Sequence, residues 1–102
     1  MSEKPMDKYD EFFSLAYQPG AMNAKTKHLV ALAASLGAGC QPWTEYCLAV
    51  ARKHGASRQE IDEVVALSMT VGAHKIRLMA EKGIDGLAEE FREQEGERKP
   101  FT

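Results

Sequence analysis

Cys40 and Cys47 are the two cysteines of this sequence, and with His28, His54 and His74 they are the side chains most able to exchange protons or electrons near neutral pH. Cys40 follows Gly37-Ala38-Gly39, which must end one helix, and precedes Pro42, which suits the first turn of the next because its missing N–H has no partner there anyway. It therefore sits just outside a helix N-terminus, where partial positive charge favours a thiolate. Of the two thiols, Cys40 is the one expected to react. The structural alternative is a small residue packed where the helix begins, since free cysteine is among the most buried residue types. Cys47 shares a stripe with Trp43, Tyr46, Val50 and His54 at three- and four-residue steps, so core filling competes with a role as resolving thiol. Residues seven apart in a regular helix are separated by ~10 Å of rise, beyond disulfide reach. A Cys40/Cys47 bridge then requires the helix start to unwind.

His28, Cys40 and Cys47 are acceptable zinc or iron ligands, with His74 as a conceivable fourth, but the paired ligands typical of structural zinc are lacking. No metal and no other cofactor is expected. No glycine-rich phosphate loop, nucleophile elbow or dinucleotide fingerprint occurs. His54 lies in the last turn of its helix, where a donor helps unpaired carbonyls, and reads as structural. His74, beside Lys75 and Arg77, reads as an exposed polar residue in competition with a pocket role. Glu45 points away from the Cys47 stripe and Glu60 is explained by capping, so neither supplies a proton relay.

The elements that must hold these residues are all helical. Every periodic segment fits the helical template and none alternates as a half-buried strand does, so the fold class is all-α, with about six helices. A first helix from near Asp7 presents Tyr9, Phe12, Phe13 and Ala16 and stops at Gln18-Pro19-Gly20. Asn23 caps a second, apolar nearly all round after His28, which must be enclosed. The third runs from Pro42 to a stop at His54-Gly55. Ser57 and Glu60 have capping-box spacing ahead of Ile61, Val64, Val65 and Met69. Gly72 only bends the next stretch, which continues through Ala73, Ile76, Met79 and Ala80 to a stop at Lys82-Gly83, and Met69 and Met79 fit core spacing. A short last helix carries Ile84, Leu87, Ala88 and Phe91, and from about residue 93 the chain becomes a polar, flexible tail.

With 102 residues, the chain has room for one domain, 1–102. Its formal charge of -2 argues against a nucleic-acid partner. The uncharged run from Leu29 to Cys40 is well short of the ~20 residues that cross a bilayer, so no membrane span is expected. Ser2-Glu3-Lys4-Pro5 lacks the apolar stretch of a secretory signal, and two cysteines are too few for a secreted disulfide framework, so a cytoplasmic location is expected. The broad apolar stripes on so small a chain point to burial against further copies, a homo-oligomer.

Three segments carry a family resemblance: Ala24-Lys25-Thr26-Lys27-His28-Leu29, then Gly39-Cys40, then His54-Gly55-Ala56-Ser57-Arg58-Gln59-Glu60-Ile61. Together they resemble the carboxymuconolactone decarboxylase and alkylhydroperoxidase D family, over about residues 10–83. In that family a glutamate, eleven residues, a Cys-x-x-Cys pair, three residues and a histidine line one pocket. Counted from Cys40 at the first cysteine, the glutamate position holds His28, the second cysteine position Trp43 and the histidine position Cys47. In the peroxidase branch the second cysteine attacks the hydroperoxide and the first resolves it. Here the attacking position is lost and the resolving one kept.

The resemblance implies a trimer or hexamer with a pocket around His28, Cys40, Trp43 and Cys47, flanked by Tyr46. In such a pocket His28 could take the thiol proton, Cys40 attack a small-molecule peroxide or a disulfide, and Cys47 resolve it, with a dithiol as reductant. Trp43 fills the pocket, or stacks on an aromatic ligand. The rival expectation is an oligomeric binding or scaffold protein that kept the fold after its catalytic set decayed. Lactone decarboxylation, which the family name invites, ranks last because its proton-transfer residues are not recognisable.

Overall fold

The structure, a computed structural model, describes residues 4–95. Five α-helices and no strand occur among them: α1 (Pro5–Tyr17), α2 (Ala24–Ala38), α3 (Gln41–Lys53), α4 (Arg58–Asp85) and α5 (Ala88–Glu95). The all-α expectation holds, with one helix fewer than expected. Gly72 lies inside α4 and does not interrupt it, since one interior glycine costs only about 1 kcal/mol relative to alanine. Likewise α5 continues through residues 93 and 94 to Glu95, and the rest of the expected tail lies outside the described residues.

Local chemistry sets the boundaries. Pro5 opens α1 earlier than expected, and the Asp7 carboxylate accepts from the Lys4 backbone N–H at 3.3 Å. Lys27 donates its ammonium to the Ala16 carbonyl at 2.9 Å and to that of Gln18, satisfying acceptors that α1 leaves open at its C-terminus. Asn23 caps α2, its side-chain oxygen accepting from the Thr26 N–H at 2.8 Å. Both α2 and α3 end on glycines in the left-handed region, Gly39 at φ 70° and Gly55 at φ 94°. In each case the next residue closes the turn: the Cys40 N–H donates to Ser35 O at 3.0 Å, and the Ala56 N–H to Ala51 O at 2.9 Å. Ser57 and Glu60 form the expected capping box, with reciprocal bonds of 3.0 and 2.9 Å. The second Glu60 oxygen takes a 2.9 Å bond from Lys25, tying the starts of α2 and α4 together.

The chain divides into two compact units at the Ser68–Met69 step. In the first, α2 and α3 form the central pair and the core gathers on them: Leu32, Cys47, Ala51, Ala56 and Ile61 are buried, with Leu29, Leu36, Trp43, Leu48, Val64 and Val65 packed around them. Burying a leucine such as Leu32 completely contributes about 2 kcal/mol. The expected enclosure of α2 is only partial within one chain, since Val30 remains about half exposed. In the second unit, the last part of α4 turns into α5 through the Leu87 N–H to Ile84 O bond of 2.9 Å, and Ile84, Ala88 and Phe91 are partly covered. Met69 and Met79 are exposed rather than in the core, each about two-thirds in water among the described residues. Among the described residues no helix is long and apolar enough to cross a membrane.

Candidate functional site: an exposed thiol and a buried one

Cys40 is the residue that joins α2 to α3, and its backbone is held from both sides. Its N–H is spent on Ser35 O, while its carbonyl accepts from the Thr44 N–H and from Thr44 Oγ1, both at 2.9 Å. The side chain itself is exposed and makes no capping hydrogen bond. A rigid backbone thus presents a sulfur that is open to solvent and uncommitted.

Cys47, two turns into α3, has no exposed surface at all. Its polar partner is the buried hydroxyl of Ser35, which donates to Leu32 O at 2.8 Å and stands 3.2 Å from Thr44 Oγ1. Burial pushes the Cys47 thiol up from its usual value. The Ser35 bond pulls the other way, and the neighbouring charge of Cys40 adds to the rise. The Ser35 and Thr44 hydroxyls therefore lie between the Cys47 thiol and the backbone carbonyl of Cys40, and do not touch the Cys40 sulfur. Sequence reasoning missed both. The available signals were Ser35 seven residues after His28 on the same α2 face, and Thr44 four residues after Cys40.

His28 departs from expectation. It is buried, but its neighbours are not sulfurs: the ring lies between Tyr17, at a centroid distance of 5.0 Å, and His54, stacked at 5.1 Å and 14°. Its Nδ1 stands 2.8 Å from Ala24 O, and a carbonyl only accepts, so this nitrogen carries the proton. No hydrogen bond joins His28 to either thiol among the described residues. The seven residues from His28 to Ser35 amount to ~10 Å of helix, so the imidazole stands about two turns from the hydroxyl that meets Cys47. The contacts of His28 among the described residues are thus Tyr17, His54 and Ala24 O, and none of them is a thiol, where convergence with Cys40 and Cys47 was expected. His54, expected only to serve the end of α3, is the stacking partner.

Trp43 packs edge-on against Phe13 at 5.7 Å and stacks on Tyr46 at 4.6 Å. It lines a groove of about 680 Å³ with Tyr9, Asp10, Phe12, Phe13, Ala16 and Tyr17. None of Cys40, Cys47 and His28 lines that groove, so of the four residues expected around one pocket it takes only Trp43. Tyr46 supports the groove only by stacking on Trp43. No three histidine, cysteine, aspartate or glutamate side chains gather to hold a metal ion among the described residues.

Comparison with known proteins fits this architecture. The chain is 27% identical over 79 residues to an uncharacterized protein of Cupriavidus necator, covering 78% of this chain and 70% of the relative. A crystal structure from Thermotoga maritima superposes with a TM-score of 0.66 at 29% identity, over 93% of this chain and 97% of that one. That protein is a carboxymuconolactone decarboxylase family member with a suggested involvement in the antioxidative response. A second crystal structure from the same organism matches with a TM-score of 0.66 at 28% identity, over 99% and 90% of the two chains. The family model for carboxymuconolactone decarboxylases matches residues 4–78, the stretch that contains every helix boundary around the thiols, and the chain belongs to the carboxymuconolactone decarboxylase family.

Proposed function

We propose that this protein is a thiol-dependent redox protein in which Cys40 reduces a peroxide or a disulfide. The observation that carries this is the contrast between the two sulfurs, one exposed and uncommitted at the start of α3, the other buried under Ser35. With a hydroperoxide, the Cys40 sulfur gives up its proton to water and attacks one peroxide oxygen. An S–O bond forms, the O–O bond breaks, and the departing alkoxide takes a proton from water. Cys40 is left as a sulfenic acid, and the peroxide as an alcohol. When the first turn of α3 unwinds, Cys47 attacks the sulfenic sulfur, forming the disulfide and releasing water. An external dithiol then returns both sulfurs to thiols. His28, held in its stack with His54, takes no part.

The same reading places the protein in the cytoplasm, where both thiols stay reduced between turnovers. It also makes the chain a homo-oligomer, a trimer or hexamer, which is supported by the exposed apolar side chains of α4, with Met69, Val71, Ile76 and Met79 each about two-thirds or more in water. One equivalent of hydrogen peroxide tests the chemistry. The expected result is a transient sulfenic acid traced by peptide mass to Cys40, followed by loss of both thiols as a disulfide between the Cys40 and Cys47 peptides; an unchanged thiol titre in the native protein removes the proposal. A second reading, an oligomeric binding or scaffold protein, draws on the stacking of His28 with Tyr17 and His54 and expects no peroxide turnover with any dithiol.

A further inference from the structure

The aromatic groove has a chemistry of its own. Along α1, Tyr9, Phe13 and Tyr17 recur every four residues and so share one face, with neighbouring centroids 6.3 and 4.9 Å apart. Phe12 stands beside them, Trp43 closes the far side from α3, and Ala16 leaves the space between the larger rings open. The volume, about 680 Å³, falls within the size range of small-molecule sites. Tyr9 and Phe12 are 52% and 66% exposed, so broad aromatic surface faces the opening. Asp10 is the single charged residue of the lining, and no ion pair engages its carboxylate among the described residues. Aromatic faces carry negative partial charge, and a carboxylate adds a full one, so the wall has one electrostatic sign over an apolar surface. An anion is repelled there and a neutral apolar molecule gains only burial. A cation with an apolar body satisfies both features.

We infer that this groove binds an organic ammonium ion carrying an aryl or alkyl body, with the charged head at Asp10 and the rings of Tyr9, Phe12 and Trp43 around the body. The site is separate from the thiols and stands whether or not Cys40 is a redox centre.

Trp43 is the only tryptophan, so its fluorescence reads the groove directly. The probes are 2-phenylethylammonium and 2-phenylethanol, similar in shape and differing in charge, titrated into the full chain near neutral pH. The expected result is a saturable change with the ammonium ion, at least about fivefold tighter than with the alcohol. Asp10→Asn should abolish that preference while leaving alcohol binding within about twofold, and Phe12→Ser, a change at an exposed position, should weaken both. Equal affinity for the two probes, no saturation with either, or a preference that survives Asp10→Asn overturns the inference. So does a groove already filled by a second copy: Trp43 shielded from acrylamide until Phe12→Ser dissociates the assembly, as followed by sedimentation.

Discussion

The two ends of the α2–α3 pair use similar building blocks to opposite effect. At one end, Tyr17, His28 and His54 form a stack closed by the Nδ1–H bond to Ala24 O. At the other, Ser35 and Thr44 hold the backbone of Cys40 in place and leave its sulfur free. The imidazole end is satisfied and structural; the thiol end is satisfied in its backbone and open in its side chain. Reactive chemistry belongs where packing fixes the frame and spares the reacting atom. A place on a buried helix face therefore does not by itself make a histidine a base.

Substitutions at the two ends should separate these roles. The largest effect is expected from Cys40→Ser, which should bring peroxide-dependent thiol loss down to background while leaving the unfolding curve in place; undiminished peroxide consumption by that variant would move the chemistry elsewhere. Next comes His28→Ala, expected to cost about 2 kcal/mol in denaturant unfolding through lost packing and stacking, with the alkylation rate of Cys40 within about twofold of the parent. A drop in that rate by an order of magnitude, with the fold intact, would restore His28 as the base.

Ser35→Ala sharpens the contrast at the thiol end. Removing the hydroxyl leaves the Cys47 thiol and Thr44 without their shared partner, expected to cost about 1 kcal/mol. The same thiol gives a pH signature. Its folded value lies above the ordinary 9.0, so the stability it contributes is present below pH 9.0 and is lost as the pH rises through the folded value. Cys47→Ala should therefore flatten the alkaline limb of the stability profile, measured by thermal unfolding between neutral pH and pH 11.

The smallest effect is expected away from both ends, at Glu60. Its carboxyl is held below the ordinary 4.5, first by the Ser57 backbone N–H and then by Lys25. Its stabilisation is thus complete above pH 4.5 and is lost as the pH falls through the lower folded value. Glu60→Gln should reduce the melting temperature slightly at neutral pH, with the gap to the parent closing in acid.

What was legible in the sequence was local. Asn23, Ser57 with Glu60, and the glycines after α2 and α3 each act within a few residues, and their boundaries follow from backbone groups that need partners. The placement of Cys40 just before α3 came from the same kind of signal. The site around it was harder to see, because which residue of α2 faces which residue of α3 is set by how two helices pack and not by spacing within either. That register puts His28 opposite His54 and Ser35 opposite Cys47 and Thr44, and no local pattern distinguishes it from a one-turn slip. The continuity of α4 past Gly72 was legible too, because one interior glycine has a modest cost that does not end a helical stretch. The exposure of Met69 and Met79 was hidden for a different reason: periodicity marks an apolar face without saying whether this chain or another covers it.

The sharpest test is native-state alkylation with iodoacetamide, each cysteine followed separately by peptide mass. Cys40 should be modified rapidly near neutral pH, at a rate indifferent to His28→Ala, while Cys47 stays protected until the protein unfolds. Modification of Cys47 as fast as Cys40, or protection of both, would contradict the division between an open sulfur and a buried one on which the proposed chemistry rests.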